Sequence, residues 1–242
     1  MIAILSDFGD SEYLGVMKAV MLKKNPHAMI HDLCNSIEAQ NIRQAAWVLF
    51  SSYKHFPQGT AFLCVVDPGV GYKRNALAVK TSNYTFVGPD NGLLYPAAYE
   101  DGIEQVISLR VPRNASRTFH GRDVFAPAAA DLDYGLALAS LGLRINIMKK
   151  LVFFQDRREG EIVRVDHFGN IITNLPHTGS SRYAVSIGKW KKSLPYRKAY
   201  QEAQENELFL IEGSFRTLEI ALKNGSASSR LKAREGQTIR IT

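Results

Sequence analysis

Cysteine is scarce: Cys34 and Cys64 are the two in 242 residues. They lack the close pairing of a metal site, and each stands beside apolar residues, so both read as buried free thiols. Long apolar runs are missing too. Stretches such as AAWVLF (45–50) fall well short of the roughly 18–20 residues that a membrane span needs. MIAILSDFGDS carries no basic leader and turns acidic at Asp7, so a soluble, cytoplasmic protein is expected. The six histidines show no ligand spacing; His27 and His31 straddle the transition that Pro26 starts, and no metal is expected. The Gly-x-x-x-x-Gly-Lys-Ser/Thr phosphate loop is absent. The net charge of +7 is spread out, apart from KWKK (189–192) and two Lys-Lys pairs, and basic residues do not alternate with aromatics. That describes a solvated basic surface and no nucleic-acid partner.

What remains is an ordinary globular composition, 45% hydrophobic. The N-terminal half alternates strand and helix patterns. MIAILSDFG reads as a buried strand running into a loop, and Tyr13, Val16, Met17, Val20 and Met21 recur at helical spacing until Asn25-Pro26. AMIHDL is a second strand, residues 42–53 a second helix, and TAFLCVVD a third strand ending on Asp67. NALAVKTSNYTFVGP reads as a hairpin turning at Ser82-Asn83, VISLRV as a further strand, and the helix after TFHGRD is expected to reach about Leu141. This order predicts an α/β domain over 1–155 with an open parallel sheet, whose ligands bind beyond the carboxyl ends of the strands. Asp7 and Asp67 fall at those ends. From residue 156 to 242 the pattern becomes short alternating segments, which predicts a small antiparallel β-barrel.

Five clusters carry polar chemistry. In SDFG (6–9), Asp7 can either accept from a ribose diol or cap the next helix. In VVDPGVGYKR (65–74), Pro68, Gly69 and Gly71 force a tight turn with Asp67 at its base and Arg74 across it, either a ligand cradle or a salt bridge pinning the turn. In GPDNGLL (88–94), Asp90-Asn91-Gly92 is either a binding loop or a plain turn. In TFHGRDVFAPAAADL (118–132), Asp123 is a natural helix cap and Arg122 can pair with a carboxylate, but His120 has no such structural duty. A neutral imidazole there can orient or deprotonate a nucleophile. In DHFGNIITN (166–174), Phe168 can stack on a heterocycle or fill a core, and Asn170 can read an adenine edge or close a turn.

Taken in order, DFG, VDPGVG, GPDNGLL, TFHGRDVFAPAAA, FGNIITN and LEIA resemble the S-adenosyl-L-methionine (SAM) hydroxide adenosyltransferases, relatives of the fluorinase and chlorinase. The resemblance implies an N-terminal α/β domain and a C-terminal β-barrel. It also implies a homotrimer with SAM held between subunits, SAM being substrate with no further cofactor. Asp67, Arg74 and His120 match the water-positioning set, Asp7 the ribose carboxylate, and Asp90 and Asn91 stand in a matching motif taken as substrate-binding. Asp166 matches a carboxylate near the methionine ammonium, Phe168 and Asn170 the adenine platform and edge reader. Ser214 lies near the methionine-binding serine and Ala227 near a backbone contact to adenine. The sequence departs from the family pattern with Arg216-Thr217 before LEIA and Ser226 where asparagine is common.

The implied reaction is hydrolysis of SAM to adenosine and methionine. The sulfonium is already a good leaving group, so the enzyme needs a nucleophile in line and a dry pocket. A halogenase and a non-catalytic SAM or adenosine sensor are the rival readings.

Overall fold

Ile2–Ser6 forms β1, five residues with every side chain buried. The structure, a computed structural model, describes residues 1–242, which divide into two compact units, Met1–Leu151 and Val152–Thr242.

In the first unit, β1 is followed by α1 (Glu12–Lys24), β2 (Ile30–Cys34), α2 (Ile42–Ser52), β3 (Ala61–Val65), the hairpin β4 (Ala76–Thr81) and β5 (Thr85–Pro89), α3 (Tyr95–Glu100) and β6 (Ile103–Leu109). After a long loop come α4 (Ala126–Asp133) and β7 (Gly142–Ile145). The sheet order is β2-β1-β3-β5-β4-β6-β7. The four strands from β2 to β5 are mutually parallel, but β4, β6 and β7 continue the sheet antiparallel. The expected parallel sheet is therefore mixed, because the hairpin inserts β4 between β5 and β6.

Strand alternation sends neighbouring residues to opposite faces, and both faces are covered. Ala3, Leu5, Phe62, Cys64 and Phe86 pack with Ala45, Val48 and Leu49 of α2. Ile2, Ile4, Leu63, Val65 and Val87 pack with Met17 and Met21 of α1 and the alanines of α4. The small side chains of α4 let it lie close to α1 and the sheet, which holds the loop before it.

Two sequence expectations change here. The helix after His120 ends at Asp133, well before Leu141. Gly135, at φ +100°, adopts a left-handed turn, and the Leu136 N–H closes onto the Asp131 carbonyl, a glycine stop of the usual kind. Of the two cysteines, Cys64 is fully buried and its thiol pKa is pushed up by that burial, whereas Cys34 is only half-buried.

The second unit contains β8 (Glu159–Val165), β9 (Ile171–Pro176), β10 (Arg182–Ile187), β11 (Trp190–Pro195), β12 (Leu208–Glu212), β13 (Thr217–Leu222), α5 (Ala227–Leu231) and β14 (Thr238–Ile241). They form one sheet in the order β11-β10-β14-β8-β9-β13-β12. All paired neighbours are antiparallel. Beyond β11, Tyr196 bridges Leu210 of β12 and the Arg197 N–H donates to the Leu210 carbonyl at 2.8 Å, so the two edges meet and the sheet curls into a barrel. Ile162, Ile171, Tyr183, Leu218, Ile220 and Ile239 fill its interior.

Candidate active site

Asp67 stands two residues beyond β3 at the base of a loop that doubles back on itself. Val70 N–H donates to the Asp67 carbonyl and Arg74 N–H to that of Tyr72, so the chain turns Arg74 over Asp67. Gly71, at φ +73°, is required twice: the left-handed conformation suits glycine, and any Cβ would collide with the carbonyl of Arg117. The Arg74 guanidinium grips Asp67 with both arms, Nε to Oδ1 at 3.0 Å and the terminal nitrogen to Oδ2. Both side chains are almost enclosed, 10% and 7% exposed. The Phe125 ring supports the guanidinium from 5.2 Å.

The same terminal nitrogen of Arg74 lies 2.9 Å from Nδ1 of His120. A guanidinium only donates, so Nδ1 is the acceptor and the neutral imidazole carries its proton on Nε2. Burial, then the charge of Arg74, lowers the His120 pKa from its ordinary value and keeps the ring neutral. His120 sits where a π-turn, Gly121–Phe125, leads into α4. Such turns re-aim side chains at functional positions. Gly121 has to be small here, since a Cβ would lie 2.9 Å from the Met17 sulfur and 3.0 Å from the Phe119 ring. Asp123 is not the helix cap expected from the sequence. It lies inside the π-turn, accepts from the Ser116 N–H at 2.7 Å and pairs with its neighbour Arg122, anchoring the loop before His120. The Arg122 hydrogen bond holds the Asp123 carboxyl below its ordinary range.

Asp7, directly after β1, joins Asp67 and His120 around a recess of about 290 Å³. The N–H of Gln40, itself in a left-handed conformation at φ +66°, donates to Asp7 Oδ2 at 2.8 Å and orients the carboxylate. Phe8 and Phe119 form the apolar wall, edge-on to one another at 5.8 Å. Gln40, Phe8 and Phe119 were not singled out from the sequence, although Phe8 and Phe119 lie inside the two quoted motifs. Asp90 and Asn91 stand outside this recess. Asp90 accepts from the Lys149 N–H and the Asn75 amide, and the Asn91 amide donates to the Val66 carbonyl while its oxygen accepts from Leu93 N–H. Their polar atoms brace the ends of β3 and β5.

The second unit has its own cavity, about 980 Å³, which gathers Asp166, Phe168, Asn170 and Ser214. Asp166 organises the β8–β9 turn: Oδ1 accepts from the N–H groups of Phe168 and Asn170, and Oδ2 from the Asn170 amide at 2.9 Å. The other amide hydrogen of Asn170 is directed at the Tyr200 hydroxyl, 3.4 Å away. With both hydrogens committed, Asn170 presents only its oxygen, so it can accept along a base edge but not also donate. Phe168 is 76% exposed at the cavity rim, so it is no core phenylalanine. Gly169 packs against Ser226, and its carbonyl accepts from Ser228 N–H at 2.9 Å, which sets Ala227 beside the Phe168 turn. Ser226 caps α5 by accepting from Ser229 N–H. In the turn carrying Ser214, Arg216 takes φ +60°, a conformation more usual for glycine. No group of three His, Cys, Asp or Glu side chains converges into a metal site.

The family domain descriptions SAM hydroxide adenosyltransferase N-terminal domain and C-terminal domain match residues 2–142 and 160–240. The chain belongs to that family. It is 36% identical to an (R)-S-adenosyl-L-methionine hydrolase of Thermus thermophilus, over 98% of this chain and 97% of the relative. A fluorinase of Nocardia brasiliensis is more distant, 26% identical over 77% of this chain and 75% of its own. Among solved structures, a conserved protein of Thermotoga maritima superposes with a TM-score of 0.94 at 38% identity, covering all of both chains. Within the family, the Asp67–Arg74–His120 group of this chain is bound together by direct hydrogen bonds.

Proposed function

We propose that the protein hydrolyses SAM to adenosine and L-methionine, a water oxygen attacking C5′ as the sulfur departs. The observation that carries this reading is the fixed hydrogen-bond order of Asp67, Arg74 and His120. Arg74 occupies the acceptor nitrogen of His120, so the imidazole offers the water oxygen an Nε2–H donor instead of taking its proton. Each oxygen of Asp67 keeps a lone pair after binding Arg74 and accepts a water hydrogen. Held between donor and acceptor, the water turns its remaining lone pair toward C5′. A new O–C5′ bond forms, the C5′–S bond breaks with its electrons going to sulfur, and one proton passes by way of Asp67 to solvent. Fixing the nucleophile removes much of the entropic barrier, and the Phe8–Phe119 wall limits competing solvent.

Asp7 accepts from the ribose hydroxyls, Phe168 stacks on adenine, the Asn170 oxygen accepts from the exocyclic amine, and the Ala227 backbone completes the edge. Asp166 and Ser214 serve the methionine end. The recess of the first unit holds less than a whole SAM molecule, and exposed Phe168 suits a platform that another copy covers. A homotrimer with each site closed by a neighbour's C-terminal unit accounts for both features. The Asp67 carboxylate facing the nucleophile's place opposes a halide and suits water.

Incubating the purified protein with SAM and resolving the products by chromatography tests the proposal. Adenosine and methionine in equal amounts are expected. A 5′-halo-adenosine formed in chloride in place of adenosine, or tight binding without turnover, would overturn it.

A further inference from the structure

Gln40 is the one residue of the first unit, glycines apart, whose backbone is left-handed, at φ +66°. That conformation costs an L-residue free energy, and a long straight side chain offers no local hydrogen bond in return. Such strain persists only where the surroundings over-determine it, and it points to a task. Here the surroundings are specific. Before Gln40, the Glu38 N–H donates to the Gln44 side-chain oxygen at 2.7 Å, and the Glu38 carboxylate accepts from the Asn41 amide at 3.1 Å. After it, Asn41 caps α2 by accepting from the Gln44 N–H at 2.9 Å, and its own N–H closes onto the Glu38 carbonyl at 2.9 Å. Ala39 and Gln40 alone connect these two fixed points, and the left-handed residue completes the turn. The same loop grips the end of β1. The Asn35 carbonyl accepts from Gly9 N–H and its side-chain oxygen from the Ser6 hydroxyl, both at 2.7 Å, while Ile37 N–H donates to the Ser6 carbonyl at 3.3 Å. Asp7 lies between those anchors, and the strained turn delivers the Gln40 N–H to its Oδ2 at 2.8 Å.

No other protein group donates to that carboxylate. The torsion that rotates an aspartate carboxylate is broad and twofold, so a single fixed donor decides its plane. One of the four lone-pair sites is then taken, which leaves Oδ1 free and one site on Oδ2. Two sites on different oxygens match a cis diol, each hydroxyl donating to one oxygen. We infer that Gln40 is a positioning residue that determines sugar specificity: its left-handed backbone fixes the Asp7 carboxylate so that the recess selects ribose over 2′-deoxyribose. The inference rests on SAM as substrate with Asp7 on its ribose, and adds the selectivity and its cause. A nucleoside lacking the 2′-hydroxyl leaves one lone pair of a fixed carboxylate unpaired in the recess. A carboxylate free to rotate turns to the remaining hydroxyl or to water and loses less. Gln40 also lines the recess, so its backbone has to be separated from its side chain by experiment.

The test is calorimetric binding of adenosine and 2′-deoxyadenosine beside SAM kinetics, in variants that keep the N–H of residue 40 and change how readily it is left-handed. The wild type is expected to bind adenosine about tenfold more tightly, the low end for one charge-assisted hydrogen bond. The β-branched Gln40→Val resists a left-handed backbone. It should weaken adenosine about fourfold and leave 2′-deoxyadenosine nearly unchanged, with KM for SAM rising in step and kcat little altered. Gln40→Gly adopts the conformation freely and should keep the wild-type selectivity. Placed in Asp7→Ala protein, Gln40→Val should add no further loss, because both act through one carboxylate. If Gln40→Val does not fold, the milder Gln40→Ala decides by the same comparisons. A wild type indifferent to the 2′-hydroxyl, selectivity lost equally in Gln40→Gly, or a loss that adds to that of Asp7→Ala would overturn the role of Gln40 while leaving SAM turnover in place. Failure to bind adenosine or to turn over SAM at all would overturn the functional reading together with it.

Discussion

Replacing Arg74 with lysine keeps the positive charge and removes the fork. Arginine makes three directed contacts here: two to Asp67, with Nε–Oδ1 at 3.0 Å, and one to His120 Nδ1 at 2.9 Å. A lysine ammonium on a flexible stem cannot reproduce that planar set, and it loses the face of Phe125. Both members of the ion pair are nearly enclosed, so a lost bond is not replaced by water at no cost. Each charge-assisted hydrogen bond removed costs about 1.5–3 kcal/mol. If the group's work is to place water, that loss appears in the transition state. Turnover should then fall roughly 10²–10³-fold, the effect of removing one well-placed donor, equivalent to about 2.7–4 kcal/mol. SAM affinity should change far less, because Arg74 stands behind Asp67 and His120. Steady-state rates beside calorimetric binding measure the two effects. Nitrogen-15 NMR of the His120 ring provides a direct check, with the wild type protonated at Nε2 and Arg74→Lys showing a mixture of tautomers. Turnover within threefold of wild type, or a wild-type ring protonated at Nδ1, would refute the reasoning.

The pH profile should show an acid limb below 6.5, the ordinary histidine value, because burial and Arg74 lower the His120 pKa and protonation would set an Nδ1–H against the guanidinium. The unfolded chain binds that proton more readily than the folded one, so His120 adds no penalty above about pH 6.5 and destabilises the fold progressively below it, as denaturant titration across pH should record. Asp7→Ala should raise KM and Kd for SAM together by about tenfold with a smaller change in kcat, since a ribose contact is made in ground and transition states alike; equal kcat losses in Asp7→Ala and His120→Ala would contradict the division of labour. Light scattering should report a trimer. Mixing inactive His120→Ala with inactive Asn170→Ala protein under subunit exchange should restore part of the activity, and no recovery despite proven exchange would rule out a shared site.

The motifs that bear chemistry were legible in the linear chain because each combines a strand end with residues that force a turn. Asp67 follows a run of buried apolar residues, and Pro68, Gly69 and Gly71 leave the backbone few ways to continue except back toward Arg74. Phe168 and Asn170 drew attention in DHFGNIITN with their roles left open, and the fold shows them in the turn between β8 and β9. Composition and alternation were enough to separate an α/β half from an all-β half. The extent of the helix after His120 was misjudged, because the apolar residues Leu136 and Leu138 suggested continuation while Gly135 imposed the stop. Strands such as β7, β11 and β13 were not resolved one by one in the sequence. Their residues become strands through the partners they meet across the sheet, as when β13 lies between β9 and β12.

Asp90 and Asn91 show the limit most plainly. In sequence they stand in a turn much like that of Asp67, and only the packed fold shows that Asp90 meets Lys149 and Asn75, that Asn91 meets Leu93 and Val66, and that both stand outside the recess beside Asp7. Hydrogen-bond direction is likewise invisible in a string of letters. The proton on Nε2 of His120 is decided by an arginine 46 residues away in sequence, and the acceptor role of Asn170 by Asp166 and Tyr200. Residue types and turn-forming spacings determine locally which groups can reach a site. Which lone pairs and protons remain free there is determined by contacts between distant segments, because each donor and acceptor can be satisfied only by what the tertiary fold brings within about 3 Å.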